Sequence, residues 1–173
     1  MAADRGEGAA RQEIAAAVWN RAYDLLGHIG GLILAIMSAA VFGQVVLRYL
    51  GLTGIDGLEE IPRYLFIWLV MIGAAAAMQR GEHTVLDYFI NLLSPRGRAA
   101  VLVLTNAVAI ALFLYLIKLS VVLVPNAQLQ TSAGLGLPLG YVFAAIPIGS
   151  FLIILPMVRN ILAALRSLWP KLS

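Results

Sequence analysis

An uncharged stretch near the N-terminus decides the fold class of this chain: residues 25–47 read LLGHIGGLILAIMSAAVFGQVVL. These 23 residues contain no Asp, Glu, Lys or Arg. A helix of about 20 mainly apolar residues is long enough to cross the hydrocarbon core of a bilayer. The stretch therefore predicts a membrane-spanning helix.

The composition of the whole chain supports the same interpretation. Of its 173 residues, 61% are hydrophobic and 12% are charged, whereas soluble domains have about 45–50% and about 25%. A water-soluble domain is therefore excluded. The chain has no cysteine, which excludes disulfides and thiolate sites. Its net charge of +3 is spread thinly, which favours loops beside a lipid bilayer over a nucleic-acid partner.

Three further gaps between charges predict three more spans. Residues 64–79 and 99–117 are uncharged, and so are residues 119–158, which are too many for one helix. The breaker-rich, polar segment 125–138 divides this last gap. We therefore predict an all-α integral membrane protein with four transmembrane helices at about 28–49, 58–80, 98–124 and 139–158.

The N-terminal region predicts an additional amphipathic interfacial helix over residues 12–26. Trp19 and Tyr23 on its apolar face are typical anchors at a membrane surface. A simple extension of the first span is the alternative. The predicted divisions are an N-terminus at 1–27, a four-helix membrane domain at 28–160 and a tail at 161–173. Nine of the twelve Lys and Arg residues lie on the side of both termini, which predicts that both termini are cytoplasmic.

Small residues in two spans predict close helix packing. They recur at every fourth position in the first span and again in the second, a pattern that lets backbones approach each other. The contact is expected either within this chain or with another subunit. The predicted interface residues are Gly27, Gly31, Ala35, Ala39, Gly43, Gly73, Ala77 and Gly81.

Polar residues cluster at the predicted outer ends of the first two spans. This outer cluster contains Gln44, Arg48, Glu59, Glu60 and Arg63. Structural pairing, such as Glu59 with Arg63 four residues later, is the preferred explanation. The middle of every span lacks ionisable groups, which argues against an ion path within this chain. No catalytic, metal or cofactor site is predicted, and an enzyme is not expected.

The order and spacing of several motifs resemble the small membrane subunit (DctQ-like, or Q subunit) of TRAP transporters, the tripartite ATP-independent periplasmic transporters. These motifs are residues 44–49 (QVVLRY), 59–68 (EEIPRYLFIW), 73–75 (GAA), 130–132 (QTS), 138–141 (PLGY) and 146–149 (IPIG), together with His83 and Asp87.

The resemblance implies a scaffold subunit in the inner membrane of a bacterium or archaeon. Its partners would be a large elevator-type membrane subunit, which binds sodium and an organic acid, and a periplasmic substrate-binding protein. The outer cluster would lie where that binding protein could dock. Two alternatives stay open: a quinone-linked anchor that binds haem through His28 and His83, and a self-sufficient four-helix channel.

Overall fold

The computed structural model describes residues 2–51, 57–80 and 94–168. It contains helices α1 (Ala2–Tyr49), α2 (Glu60–Arg80), α3 (Pro95–Gln128), the short α4 (Gly140–Phe143) and α5 (Ala145–Leu168). Within these ranges no strand occurs, and four helical segments are long and apolar enough to cross a membrane. The predicted fold class, all-α with four spans, is confirmed.

The four long helices pack in sequence as an open row, and a small core of Tyr23, Ala75, Ile153 and Met157 joins α1, α2 and α5. α1 packs along α2, α2 along α5, and α5 along α3. α1 and α3 therefore lie at opposite edges, and they do not pack against each other in the described ranges. We call the end with residues 57–59 and the loop 129–139 the hairpin end, and the end with Arg80 and Ser94 the terminal end.

The inner face of α1 is a seam with alternating spacings of four and three residues. This 3.5-residue repeat is typical of helices that pack at a small crossing angle. The seam residues are consistently less exposed than most of their neighbours: Trp19, Tyr23, Leu26, Gly30, Ile33, Met37, Ala40, Gln44 and Leu47. The seam explains how a long apolar helix can pack mainly against one neighbour.

The N-terminal region differs from the predicted separate interfacial helix. Residues 12–26 are helical, but they belong to the continuous 48-residue helix α1. At 1.5 Å per residue this helix is about 72 Å long, more than twice the hydrocarbon thickness of a bilayer. Trp19 and Tyr23 continue the seam and contact α5, so a bend after Tyr23 would remove these contacts.

Two helices extend beyond their predicted ends. α3 continues through Pro125 to Gln128, one turn past the predicted end at 124, because a proline removes one N–H donor and leaves the following donors in place. α5 continues to Leu168, past the predicted end at 158. Pro147 lies at the break between α4 and α5, where it leaves the carbonyl of Phe143 without its helical donor.

Candidate functional site

The loop 129–139 at the hairpin end folds into a compact hairpin. The Ser132 N–H donates to the Leu137 carbonyl at 2.9 Å, and the Leu139 N–H donates to the Gln130 carbonyl at 2.9 Å. Gly136 has a φ of 64°, a conformation that glycine adopts without steric cost. The two hydrogen bonds close the turn, so the hairpin has a defined shape.

Glu60 connects this hairpin to α2. One carboxylate oxygen accepts a hydrogen bond from the Gly134 N–H, and the other accepts one from the Leu135 N–H, both at 3.2 Å. The hydroxyls of Ser132 and Tyr64 also interact with the carboxylate. Hydrogen bonds to an ionised acceptor are stronger than neutral ones. Glu60 therefore anchors the hairpin to the start of the neighbouring span.

A close backbone contact joins the two loops at the same end. Gly57 has a φ of 91°, and a Cβ added there would lie 2.8 Å from the carbonyl carbon of Gly134. Only glycine combines this conformation with so short an approach. The loop before α2 and the hairpin therefore contact each other directly beside the Glu60 anchor.

Gln44 connects α1 to the loop before α2. Its Nε2 donates to the carbonyl of Leu58. In an α-helix this carbonyl would accept from the N–H of residue 62, but that residue is Pro62, which has none. Gln44 thus satisfies an acceptor that the start of α2 leaves open.

The structure divides the predicted outer cluster into two groups. Gln44 and Glu60 bind the loops, whereas Arg48, Glu59 and Arg63 are exposed. In the described part of the chain none of these three forms an ion pair, so the expected pairing of Glu59 with Arg63 is wrong. Backbone N–H groups, rather than an arginine, hold the carboxylate of Glu60.

The two predicted membrane anchors pack inside the helix row. The Tyr23 hydroxyl donates to the Leu152 carbonyl of α5 at 2.9 Å, and only 4% of the residue is exposed. The Trp19 ring lies 4.9 Å from the Tyr23 ring and 5.9 Å from the guanidinium carbon of Arg159. Both rings therefore have packing roles, and their depth in a bilayer stays a prediction.

The terminal end has further polar contacts between α1 and α2. Arg80 and Asp24 form an ion pair at 3.6 Å, and Gln79 donates to the Asn20 side chain at 2.9 Å. Because both partners of the ion pair are about half exposed, it stabilises the fold only slightly.

The predicted small-residue positions point in different directions. Gly31, Ala35 and Ala39 are exposed on α1, away from the seam. We call these three the outer stripe. A Cβ at Gly27 would lie 3.0 Å from the Arg80 guanidinium, whereas one at Gly43 or Gly73 would meet nothing within 4 Å. Ala77 is half-buried in α2, and Gly81 lies outside the described residues.

The closest helix approach involves a glycine that the small-residue pattern did not identify. Gly149 of α5 is buried against α2, and a Cβ there would overlap the Cβ of Met71. At the hairpin end, a Cβ at Gly140 would lie 2.5 Å from the side chain of Gln128. Isolated glycines next to a proline-containing motif gave no periodic signal in the sequence. The helix row depends on them nevertheless.

The arrangement leaves both faces of the row open. A single layer of helices cannot surround a pore, because a pore requires walls on all sides. Large apolar side chains remain exposed along every long helix, among them Leu32, Phe66, Leu104 and Phe151. In lipid such surfaces are compatible with acyl chains or with another membrane protein.

Comparison with known protein families identifies the family of this chain. The family model described as the DctQ component of the tripartite ATP-independent periplasmic transporters matches residues 37–167. This chain belongs to that DctQ family. The predicted resemblance to a TRAP small membrane subunit is confirmed, and the DctQ family is a family of transporter subunits.

Three relatives from Haemophilus influenzae are similar to this DctQ chain. A TRAP transporter small permease protein is 46% identical over 43% of the chain and 46% of the relative. Another protein of the same description is 32% identical over 47% of the chain and 49% of the relative. The sialic acid TRAP transporter permease protein SiaT is 20% identical over 76% of the chain.

The matched segments cover only part of each relative. The chain spans about half of the two small permease proteins and 21% of SiaT. Membership in the DctQ family does not favour the haem alternative. Of its two predicted ligands, His28 is exposed with Nδ1 2.7 Å from the Asp24 carbonyl oxygen, and His83 lies outside the described residues.

Proposed function

We propose that this DctQ chain is the static scaffold of a sodium-coupled TRAP transporter that imports organic acids. It supports a large elevator-type membrane subunit, and it binds neither sodium nor substrate itself. The single open row of helices is the observation that carries this proposal. An open row whose long helices are largely exposed supports a neighbouring protein more readily than it conducts an ion.

The relative SiaT supports a large membrane partner. A segment similar to this chain accounts for 21% of SiaT, so that permease contains much additional polypeptide. Under our proposal, the equivalent large subunit is a separate partner of this chain. The substrate named for SiaT, sialic acid, is a carboxylate, which supports an organic acid as the substrate class.

Co-purification tests the proposed partner. The chain is expressed with its neighbouring genes, and a large many-span membrane protein is expected to purify with it. The outer stripe is the proposed contact, because small residues allow close helix approach. Gly31→Leu combined with Ala35→Leu should lower the recovered partner roughly tenfold, since bulky side chains prevent that approach.

A matched control separates assembly from folding. Ala111→Leu adds a bulky side chain at an exposed position of α3, at the other edge of the row, and should leave recovery unchanged. Purification of the wild-type chain as a stable monomer without a partner would contradict the scaffold function. Normal recovery with the double variant would instead assign the contact to another face.

We further propose that the chain lies in the inner membrane of a bacterium or archaeon, with both termini in the cytoplasm. The hairpin end then faces the periplasm, and its exposed residues Arg48, Glu59 and Arg63 form the docking surface for the substrate-binding protein. The excess of Lys and Arg at the terminal end supports this orientation.

Cysteine labelling tests orientation and docking together, because the natural chain has no cysteine. A membrane-impermeant maleimide should label Arg63→Cys in intact cells, and adding the binding protein should slow that labelling. The control Arg98→Cys is exposed at the terminal end and should react only after the cells are opened. Labelling of the control alone would reverse the orientation, and unprotected labelling at residue 63 would contradict docking there.

A further inference from the structure

Two polar side chains on the seam of α1 make the same unusual contact at opposite ends of the helix row. Near the terminal end, the Tyr23 hydroxyl donates to the Leu152 carbonyl of α5 at 2.9 Å. Near the hairpin end, Gln44 Nε2 donates to the carbonyl of Leu58. Each contact joins α1 to the backbone of a different element.

Neither accepting carbonyl can take a hydrogen bond from a backbone N–H four residues later, although Leu152 lies inside α5 and Leu58 lies just before α2. A helical carbonyl accepts from the N–H four residues later. Four residues after Leu152 stands Pro156, and four residues after Leu58 stands Pro62. Proline has no N–H, so α1 supplies the missing donor in both places.

The positions of the two donors match the periodicity of the seam. Tyr23 and Gln44 are 21 residues apart, which is three repeats of seven. A seven-residue repeat returns to the same face of a helix that packs at a small crossing angle. Both hydrogen bonds therefore form at the same rotation of α1 about its axis and at the same position of α1 along that axis.

We propose that Tyr23 and Gln44 form a two-point clasp that sets the register of α1 in the helix row, each by donating to a carbonyl opened by a proline. The rest of the seam is apolar or small. In lipid, apolar seams gain little from the hydrophobic effect and specify register weakly. A polar group at a seam position is the best-attested means of fixing register.

Double-mutant cycles test the clasp directly. Tyr23→Phe removes only the hydroxyl and should lower the folding equilibrium constant about threefold, the usual effect of one such bond in a membrane protein. In a Pro156→Ala background the new N–H can serve Leu152, so the same change should have almost no effect. Gln44→Leu with Pro62→Ala should behave in the same way.

Tyr115→Phe provides the matched control, because Tyr115 is exposed on α3. Its effect should be the same with and without Pro156→Ala. Additive effects in the Tyr23 cycle, in the Gln44 cycle or in both would overturn the two-point clasp.

Register is measured independently by disulfide formation in membranes. The Gly30 position faces Leu69, with 3.8 Å between an added Cβ and Leu69 Cδ1. With the clasp intact, Leu69→Cys should cross-link to Gly30→Cys and not to Leu26→Cys or Ile33→Cys. Tyr23→Phe with Gln44→Leu should spread cross-linking to these neighbouring seam positions. Cross-linking still confined to residue 30 would overturn the proposal, even if the purified variants do not survive in detergent.

Discussion

Replacing Gly149 with alanine should destabilise the folded chain by about 1–3 kcal/mol, the usual cost of adding a methyl group to a tightly packed contact. The added Cβ would overlap the Cβ of Met71, so α2 and α5 would have to move apart. Elsewhere in a helix the same substitution is favourable by about 1 kcal/mol, because alanine has the higher helix propensity. Thermal unfolding of the purified protein in detergent measures the difference.

Three further substitutions make this result specific to the helix contact. Gly31→Ala is the matched control, because a Cβ there meets nothing within 4 Å. It should leave the stability unchanged or raise it. The overlap at residue 149 involves a Cβ, so Gly149→Ala should cost much less stability in a Met71→Gly background than in a Met71→Ala background. Equal stability of Gly149→Ala and Gly31→Ala would contradict the close approach of α2 and α5.

Replacing Glu60 with alanine should release the hairpin 129–139 from α2. The variant leaves the N–H groups of Gly134 and Leu135 without their acceptor and also removes the interaction with Ser132. Local opening of the hairpin should increase roughly tenfold, since a charge-assisted pair of hydrogen bonds is lost. Amide hydrogen exchange of segment 129–139, measured on the purified protein, reports this opening.

The neighbouring glutamate is a natural control for this experiment. Glu59 is exposed and forms no ion pair in the described part of the chain. Glu59→Ala should therefore leave hydrogen exchange in the hairpin unchanged. Glu60→Gln keeps one acceptor oxygen and should open the hairpin less than Glu60→Ala. Equal exchange rates in the alanine variants of both glutamates would show that Glu60 does not hold the hairpin.

The importance of this anchor depends on the proposed function. If the hairpin end docks a binding protein, Glu60 acts indirectly, by giving the loop a fixed shape beside the exposed residues Arg48, Glu59 and Arg63. The charge of a side chain does not distinguish the structural role of Glu60 from a docking role, because all of these side chains lie at the ends of the same two spans. The backbone of a hairpin 74 residues away determines which glutamate is structural.

The sequence by itself determined the number of spans and the family. Charged side chains are too costly to place in a hydrocarbon core, so the gaps between them mark the spans with little ambiguity. Motif order along the chain led to the same subunit that the family comparison supports. Helix ends were less accurate, because a proline such as Pro125 weakens a helix without always ending it.

Only the tertiary structure decided how the spans are arranged and which small or polar residues hold them. Gly31 belongs to the periodic small-residue pattern but faces outward, whereas Gly149 lies outside that pattern and faces Met71. Likewise, Tyr23 is of a residue type that is typical of membrane anchors, but its hydroxyl donates to the Leu152 carbonyl, which Pro156 leaves without a helical donor. Such roles depend on which backbone lies opposite each side chain, and a periodic pattern within one helix contains no information about that neighbour.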